Sequence, residues 1–256
     1  MVHSLMGSGN IKHLELSGGN LIGGSSDSAP SWRSLETAKV LNAYTTGAWW
    51  YWMCKDAGPK LRVIDISIAG GYSQIVVPNQ PGYNEAFLLC ATSLESLRLD
   101  FVGLSHTAAH LGPTGGLSCL TSMQRLARLE VPPTLIFSSS AVMEAVDICN
   151  HLPPSLRIIY LHEVYLPWGS DMRSTSVDDD LVAAHGRLLK RSLFQMVLES
   201  SQKLPLLERV CIDGEVEGWD FDATELGDLC TEDSRRGRDI VVDCVTLQSK
   251  HQGSAE

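Results

Sequence analysis

The stretch LESLRLDFVGL, residues 94–104, decides the fold. Leu97 and Leu99 flank Arg98 with the period of two that sends alternate side chains to opposite faces of a β-strand, and Leu94 enters three positions earlier. Leu104 follows ten positions after Leu94, where the chain turns back beneath the strand. The same aliphatic triplet recurs at Ile11/Leu14/Leu16, Leu61/Ile64/Ile66, Leu126/Leu129/Val131, Leu156/Ile159/Leu161 and Leu207/Val210/Ile212. Successive starts are separated by 50, 33, 32, 30 and 51 residues, so the middle four units are nearly isometric. A lone triplet arises easily by chance; the common period and the tenth-position residues Leu21, Leu104, Ile136 and Leu166 make it a repeat.

Parallel neighbouring strands need a crossover between them, and the intervals supply helical patterns for it. Ser138, Ser139 and Ser140 are N-cap residues, after which Val142, Val146 and Cys149 share a helical face until Pro153 forbids continuation. Asp178, Asp179 and Asp180 suit the positive end of a longer helix running through Leu181, Leu188 and Val197 towards Ser200. Residues 83–92 and 31–44 also read as helical, and the Gly/Ser-rich run Ser17–Ser31 reads as loop. A last strand is expected at Ile240–Val245, starting 33 residues after Leu207. Terminal units of a repeat array are atypical because one side faces water, and with ten residues ahead of the first strand that strand is expected to be either a poorly protected edge or the start of a chain cut from a larger array. The expectation is one domain over residues 1–256, with tails at 1–9 and 248–256.

Composition narrows the function. With 44% hydrophobic and 20% charged residues the 256-residue chain is expected to pack a core. A formal charge of −10 opposes phosphate backbones and anionic lipid, so neither nucleic acid nor membrane is the expected partner. No signal peptide and no membrane-spanning apolar run is readable, which predicts an intracellular protein, cytoplasmic or nuclear. Seven cysteines stand singly at Cys54, Cys90, Cys119, Cys149, Cys211, Cys230 and Cys244, without zinc or redox spacing, and read as buried thiols.

LESLRLDF, LPPSLRIIYLHE and LPLLERVCIDG, at residues 94–101, 152–163 and 204–214, resemble the irregular repeat regions of fungal F-box-like proteins. The resemblance implies an α/β solenoid of irregular leucine-rich repeats, with parallel strands on the concave face and helices on the convex face. It also implies the role of that region, which holds the protein to be modified by a ubiquitin ligase. No F-box motif is readable in these 256 residues, so only substrate-type protein binding carries over. The ninth position, Asn or Cys in regular repeats, holds Gly19, Ala69, Val102, Thr134, Val164 and Glu215, which predicts irregular units.

If the triplets lie side by side, the residues between the aliphatics share one surface, stacked about 4.8 Å apart. The fifth positions are Glu15, Asp65, Arg98, Glu130, Tyr160 and Cys211. Asp65, Arg98 and Glu130 form a ladder of alternating charge, with Arg128 and Arg209 two positions earlier on their strands. Such a ladder can serve the sheet alone, at roughly 0.2–1 kcal/mol per pair. As a protein-binding face it adds Asp100, Tyr160 and His162, a mixed polar and aromatic composition that interfaces favour. The cluster AWWYWM puts Trp49, Trp50, Tyr51 and Trp52 together in a widened loop; core packing is the default for them, and Trp50 is the candidate hot spot.

Other chemistries find little support. His106 and His110 have metal-ligand spacing but no intervening glutamate and no third ligand. Asp213–Asp233 carries nine carboxylates without the alternating acidic pattern of a calcium loop, and RRGR at 235–238 answers part of its charge. No nucleophile elbow, phosphate loop, dinucleotide fingerprint or zinc-protease motif occurs, so neither cofactor nor small-molecule substrate is expected. The alternatives to a binding scaffold are an α/β hydrolase pairing Asp65 with Glu130, and a truncated repeat fragment without its own activity.

Overall fold

A computed structural model describes residues 11–21, 31–67, 82–100, 116–132, 135–136, 148–162, 191–200, 202–213 and 241–245. Among the described residues these elements follow in chain order, with a further helical stretch over 191–200 between β8 and β9: β1 (His13–Ser17), β2 (Asn20–Leu21), β3 (Thr37–Leu41), β4 (Tyr44–Thr45), α1 (Gly47–Ala57), β5 (Val63–Ser67), α2 (Tyr83–Leu88), β6 (Ser96–Asp100), β7 (Arg128–Val131), β8 (Ile158–His162), β9 (Arg209–Asp213) and β10 (Val241–Val245). Eight of the strands form one sheet in the order β1-β3-β5-β6-β7-β8-β9-β10, and every neighbouring pair is parallel. β2 and β4 make a separate parallel pair.

All six triplets become strands of that sheet, in the register the repeat requires. Leu14, Ala38, Ile64, Leu97, Leu129, Ile159 and Val210 stand opposite one another along the sheet. They are buried, as are Val40, Ile66, Leu99, Val131, Leu161 and Ile212 two residues on. The repeat extends one residue before each strand. The carbonyl of Lys12 accepts from the N–H groups of Glu36 and Thr37, that of Glu36 from Arg62 and Val63, and that of Arg62 from Glu95 and Ser96. The arrangement continues through Glu95, Ala127 and Arg157, so units of unequal length present one backbone pattern. Ser93 and Ser155, each just ahead of a triplet, donate to the carbonyls of Leu61 and Leu126 at the start of the preceding triplet.

Two expectations fail in the wide interval between Leu16 and Leu61. Residues 31–44 are not a helix: they contain β3, inserted between β1 and β5. Its inward residues Ala38 and Val40 alternate with Lys39, and the strand period wins because both neighbours offer a parallel edge. The aromatic cluster is not loop but α1. Thr46 caps it by accepting from the Trp49 N–H at 3.3 Å, and Gly58 ends it at φ +52°, a conformation that costs glycine little. The helical period buries Trp50, Met53, Cys54 and Ala57 on one face.

α2 is shorter than expected, giving way to turns after Leu88. The long helix is present over residues 191–200, with Leu193, Met196 and Val197 buried; 178–190 and the helix expected after Ser138 lie outside the described residues, apart from a 3₁₀ turn at Ile148–His151. β10 pairs Val242 with Val210, a spacing of 32 rather than the expected 33. β1 is the first strand of the sheet, and Ile11 and Leu16 there are only partly buried while Leu35, Leu61 and Val40 are fully so.

One core unites the inward rows with the buried faces of α1, α2 and the 191–200 helix. Each fully buried aliphatic side chain contributes roughly 1.5–3 kcal/mol. Polar groups inside it are matched. Thr45 accepts from the Trp50 indole N–H at 3.1 Å and lies 2.9 Å from the Tyr83 hydroxyl, which donates to the Thr45 carbonyl at 3.1 Å. Asn84 donates to Gly116 O and accepts from the Cys119 N–H, tying α2 to the segment before β7. Cys54, Cys90, Cys119, Cys149 and Cys211 are buried. Among the described residues no helix is long and apolar enough to cross a membrane.

Candidate functional site

The outward residues of the sheet form the candidate face. At the fifth position the register places Glu15, Lys39, Asp65, Arg98, Glu130, Tyr160 and Cys211 in one row. Charge alternates over the first five strands, and Lys39 on the unexpected β3 fills the gap between Glu15 and Asp65. A second row lies at the rim where the strands begin: Lys12, Glu36, Arg62, Glu95, Ala127, Arg157 and Glu208. Lys12 pairs with Glu36 at 2.9 Å, Arg62 approaches Glu95 at 3.8 Å, and Arg157 pairs with Glu208. On β1, β3, β5 and β6 the two rows carry opposite signs, so this half of the face is a checkerboard in which each charge neighbours its opposite. Lys12, bonded to Glu36, holds that carboxyl below its ordinary range.

Arg98 is the centre of the inner row. Its guanidinium lies 2.9 Å from Glu130 Oε1, 3.5 Å from Asp100 Oδ2 and 3.8 Å from Asp65 Oδ1, and Arg128 donates to Glu130 Oε2 at 3.2 Å. The Nε contact to Glu130 is close but not aligned as a hydrogen bond, and Asp65 Oδ1 and Asp100 Oδ1 lack a hydrogen-bond partner among the described residues. Three carboxylates therefore share one arginine in a partly dry layer. Burial pushes the Asp65 carboxyl above its ordinary value, and Arg98 offsets only part of this. Asp65 and Glu130 both face the Arg98 guanidinium, on the strands either side of it, rather than each other.

The checkerboard stops at β7. Ala127 interrupts the rim row, and Tyr160 and Cys211 follow Glu130 in the inner row. Pro132 has no N–H to continue the ladder, and the β6–β7 pairs end at Arg98 with Glu130. Beyond that point His162 of β8 reaches past β7 to the Leu99 carbonyl of β6, its Nε2 at 3.1 Å. The tautomer carrying the proton on Nε2 makes this bond. The Tyr160 and His162 rings are 6.4 Å apart.

Of the expected site residues, Asp65, Arg98, Asp100, Arg128 and Glu130 are joined in one ion-pair cluster, Tyr160 and His162 stand beside it, and Arg209 is exposed on β9 at the register position of Ile158. Tyr160 is half-buried and His162 almost wholly buried. Trp50 does not belong with them. It is 0% exposed in the core, because the helical period turns it inward, and Trp52, 36% exposed, is the aromatic that reaches solvent. Lys39 and the rim row were not expected from the sequence; the signal was the charge at both the second and fifth positions of the units that form β1, β3, β5 and β6. His106, His110 and the acidic stretch after Asp213 lie outside the described residues. Among those described, no group of three or more His, Cys, Asp or Glu is arranged to hold a metal ion.

His162 makes stability depend on pH. Burial lowers its pKa below the ordinary 6.5, against the opposing pull of Asp100 and Glu130. The folded protein thus binds this proton less readily than the unfolded chain, so the contribution is complete above pH 6.5 and is lost as pH falls through that value towards the folded pKa. Urea midpoints measured between pH 8 and pH 5 should fall more steeply for the parent than for His162→Gln, which retains a donor without the titration. Parallel curves would mean that His162 is not buried neutral.

Compared with known proteins, the chain matches no family model, no curated protein and no solved structure.

Proposed function

We propose that the chain is a protein-binding scaffold, an irregular leucine-rich-repeat solenoid whose outer sheet face receives a protein partner in the manner of the substrate-holding region of F-box-like ubiquitin-ligase receptors. The observation that carries the reading is the uniform register: eight parallel strands bring the same repeat positions of every unit onto one face. A row of side chains drawn from many strands suits a broad partner surface better than a small substrate, which needs a closed pocket. Within the face, the half from β7 to β9 is the part that binds. That half carries Tyr160 with the exposed Arg128 and Arg209 on the strands either side, the aromatic and guanidinium residue types that dominate interface energetics.

Affinity capture from cell extract tests this. The parent should retain a defined partner that Tyr160→Ala loses by about ten-fold, the effect of removing a modest hot spot, at unchanged melting temperature. Trp52→Ala on the helix side should retain it fully. Equal capture by Tyr160→Ala, or loss through Trp52→Ala, moves binding away from the sheet face.

A further inference from the structure

We propose that the outer edge of β1 takes up an extended segment of a partner polypeptide as a further parallel strand, one with an acidic residue at the rim and a basic residue between two apolar ones. The site lies towards the opposite end of the sheet from the β7–β9 half and stands without the role given to that half. β1 is the first strand of the sheet, and among the described residues it pairs with β3 alone. The Lys12 carbonyl accepts from Glu36 and Thr37, and the Gly18 N–H donates to the Leu41 carbonyl, so residues 12, 14, 16 and 18 turn their backbone groups towards β3. His13, Glu15 and Ser17 between them present theirs at the outer edge, where no described residue pairs with them. The core is also less covered there. Leu14 is 8% exposed and Ile11 and Leu16 are partly buried, whereas Leu35, Ala38 and Val40 at the same positions of the next unit are 0% exposed.

The charges define which strand fits. From β6 outward to β1 both rows alternate in sign without a break, ending on Lys12 at the rim and Glu15 in the inner row, both exposed. One further step outward calls for an acid beside Lys12 and a base beside Glu15, three residues apart. That is the pattern of Glu36–Val40 and of Glu95–Leu99, on β3 and β6, each of which lies beside a strand charged like β1. A parallel guest satisfies both charges, while an antiparallel one, whose acid and base run the other way, satisfies only one. Main-chain hydrogen bonds would supply the affinity of such an added strand and the two charges its selectivity.

The test titrates the whole chain with two labelled peptides of equal net charge. The first has the sequence of residues 93–100, SLESLRLD, and the second is its Glu95→Lys/Arg98→Glu form. The first should bind about ten-fold more tightly, because both cross-strand pairs reverse sign in the second. Glu15→Lys in the protein, a change at an exposed position, should bring the two peptides level. Methylating the Leu97 amide of the first peptide, which would face β1, should abolish binding, and methylating the Arg98 amide, which would face away, should leave it intact. Binding by neither peptide, equal binding by both, or equal tolerance of the two methylations would overturn the proposal. Binding that survives Glu15→Lys but falls with Tyr160→Ala would place the peptide on the outer face instead, and a dimer in solution that Glu15→Lys dissociates would give the edge to a second copy; either result also overturns it.

Discussion

Trp50→Ala is expected to cost about 3–5 kcal/mol of folding stability, the range for truncating a buried tryptophan, and to be the most damaging single change in the aromatic cluster. Trp50 is fully buried on α1, edge-on to Phe87 of α2 at 6.5 Å and to Trp49 at 5.1 Å. Its indole N–H is a donor to Thr45, whose hydroxyl and carbonyl also hold Tyr83. Alanine leaves a cavity between α1, α2 and the sheet and removes one member of a closed polar network, so transfer, cavity and hydrogen-bond losses act together. Trp52→Ala removes a partly exposed ring, its edge contact with Tyr51 at 5.7 Å and its cation–π contact with Lys55 at 4.7 Å, a change of about 1–2 kcal/mol. Urea denaturation of the two variants distinguishes them. Equal midpoints would mean that Trp50 does not anchor the core.

The contrast shows what the sequence disclosed and what it hid. Six strands were legible because leucine, isoleucine and valine occupy all three positions of their triplets, and β10 was legible from the apolar run at Ile240–Val245. β3 was not, since LETAKV puts alanine at the centre, and Leu35, Ala38 and Leu41 have a helical spacing of their own. Register makes the strand plain, for inserting Leu35 divides the interval of 50 into 24 and 26. A local cue was also present. Ser34–Leu35 repeats the Ser–Leu step of Ser93–Leu94 and Ser155–Leu156, and in the latter two the serine hydroxyl bonds the preceding unit. The aromatic run misled in the opposite way: four aromatics in a row suggest exposure, but the 100° step between helical residues sends Trp50 and Trp52 to different environments.

The candidate face was legible as far as its strands were. Asp65, Arg98 and Glu130 appeared as a ladder from spacing alone, and the ion pairs around Arg98 bear this out. The checkerboard stayed hidden because it needs Lys39, and because the rim row lies at the second position of each unit, outside the strands themselves. His162 was expected on the surface; its bond to Leu99 depends on Pro132 ending the β6–β7 ladder, an event on another strand that no local pattern announces.

Arg98→Leu should lower stability at neutral pH by about 2 kcal/mol and regain part of it on acidification. Breaking a buried ion pair by removing one partner costs roughly 3–5 kcal/mol, and the lower figure applies because the Arg98 side chain is 40% exposed and screened by water. The loss has a direct source. Asp65, Asp100 and Glu130 are 17%, 18% and 14% exposed, and without the guanidinium three like charges face one another across adjacent strands. Burial already holds the Asp65 carboxyl above its ordinary 3.8, and removing its cation raises it further. The folded variant therefore takes up protons more readily than its unfolded chain. Its penalty is complete above the raised folded pKa and shrinks as pH falls through that value towards 3.8, opposite in sign to the effect of His162. Urea midpoints of parent and variant should be well separated at pH 7 and closer at pH 4.5, and Asp65→Asn in the variant should narrow the gap at pH 7 by removing one of the crowded charges. A gap that neither acid nor Asp65→Asn narrows would place the loss in the packing of the Arg98 side-chain stem, and the charge rows would then be free to vary with the partner rather than with the sheet.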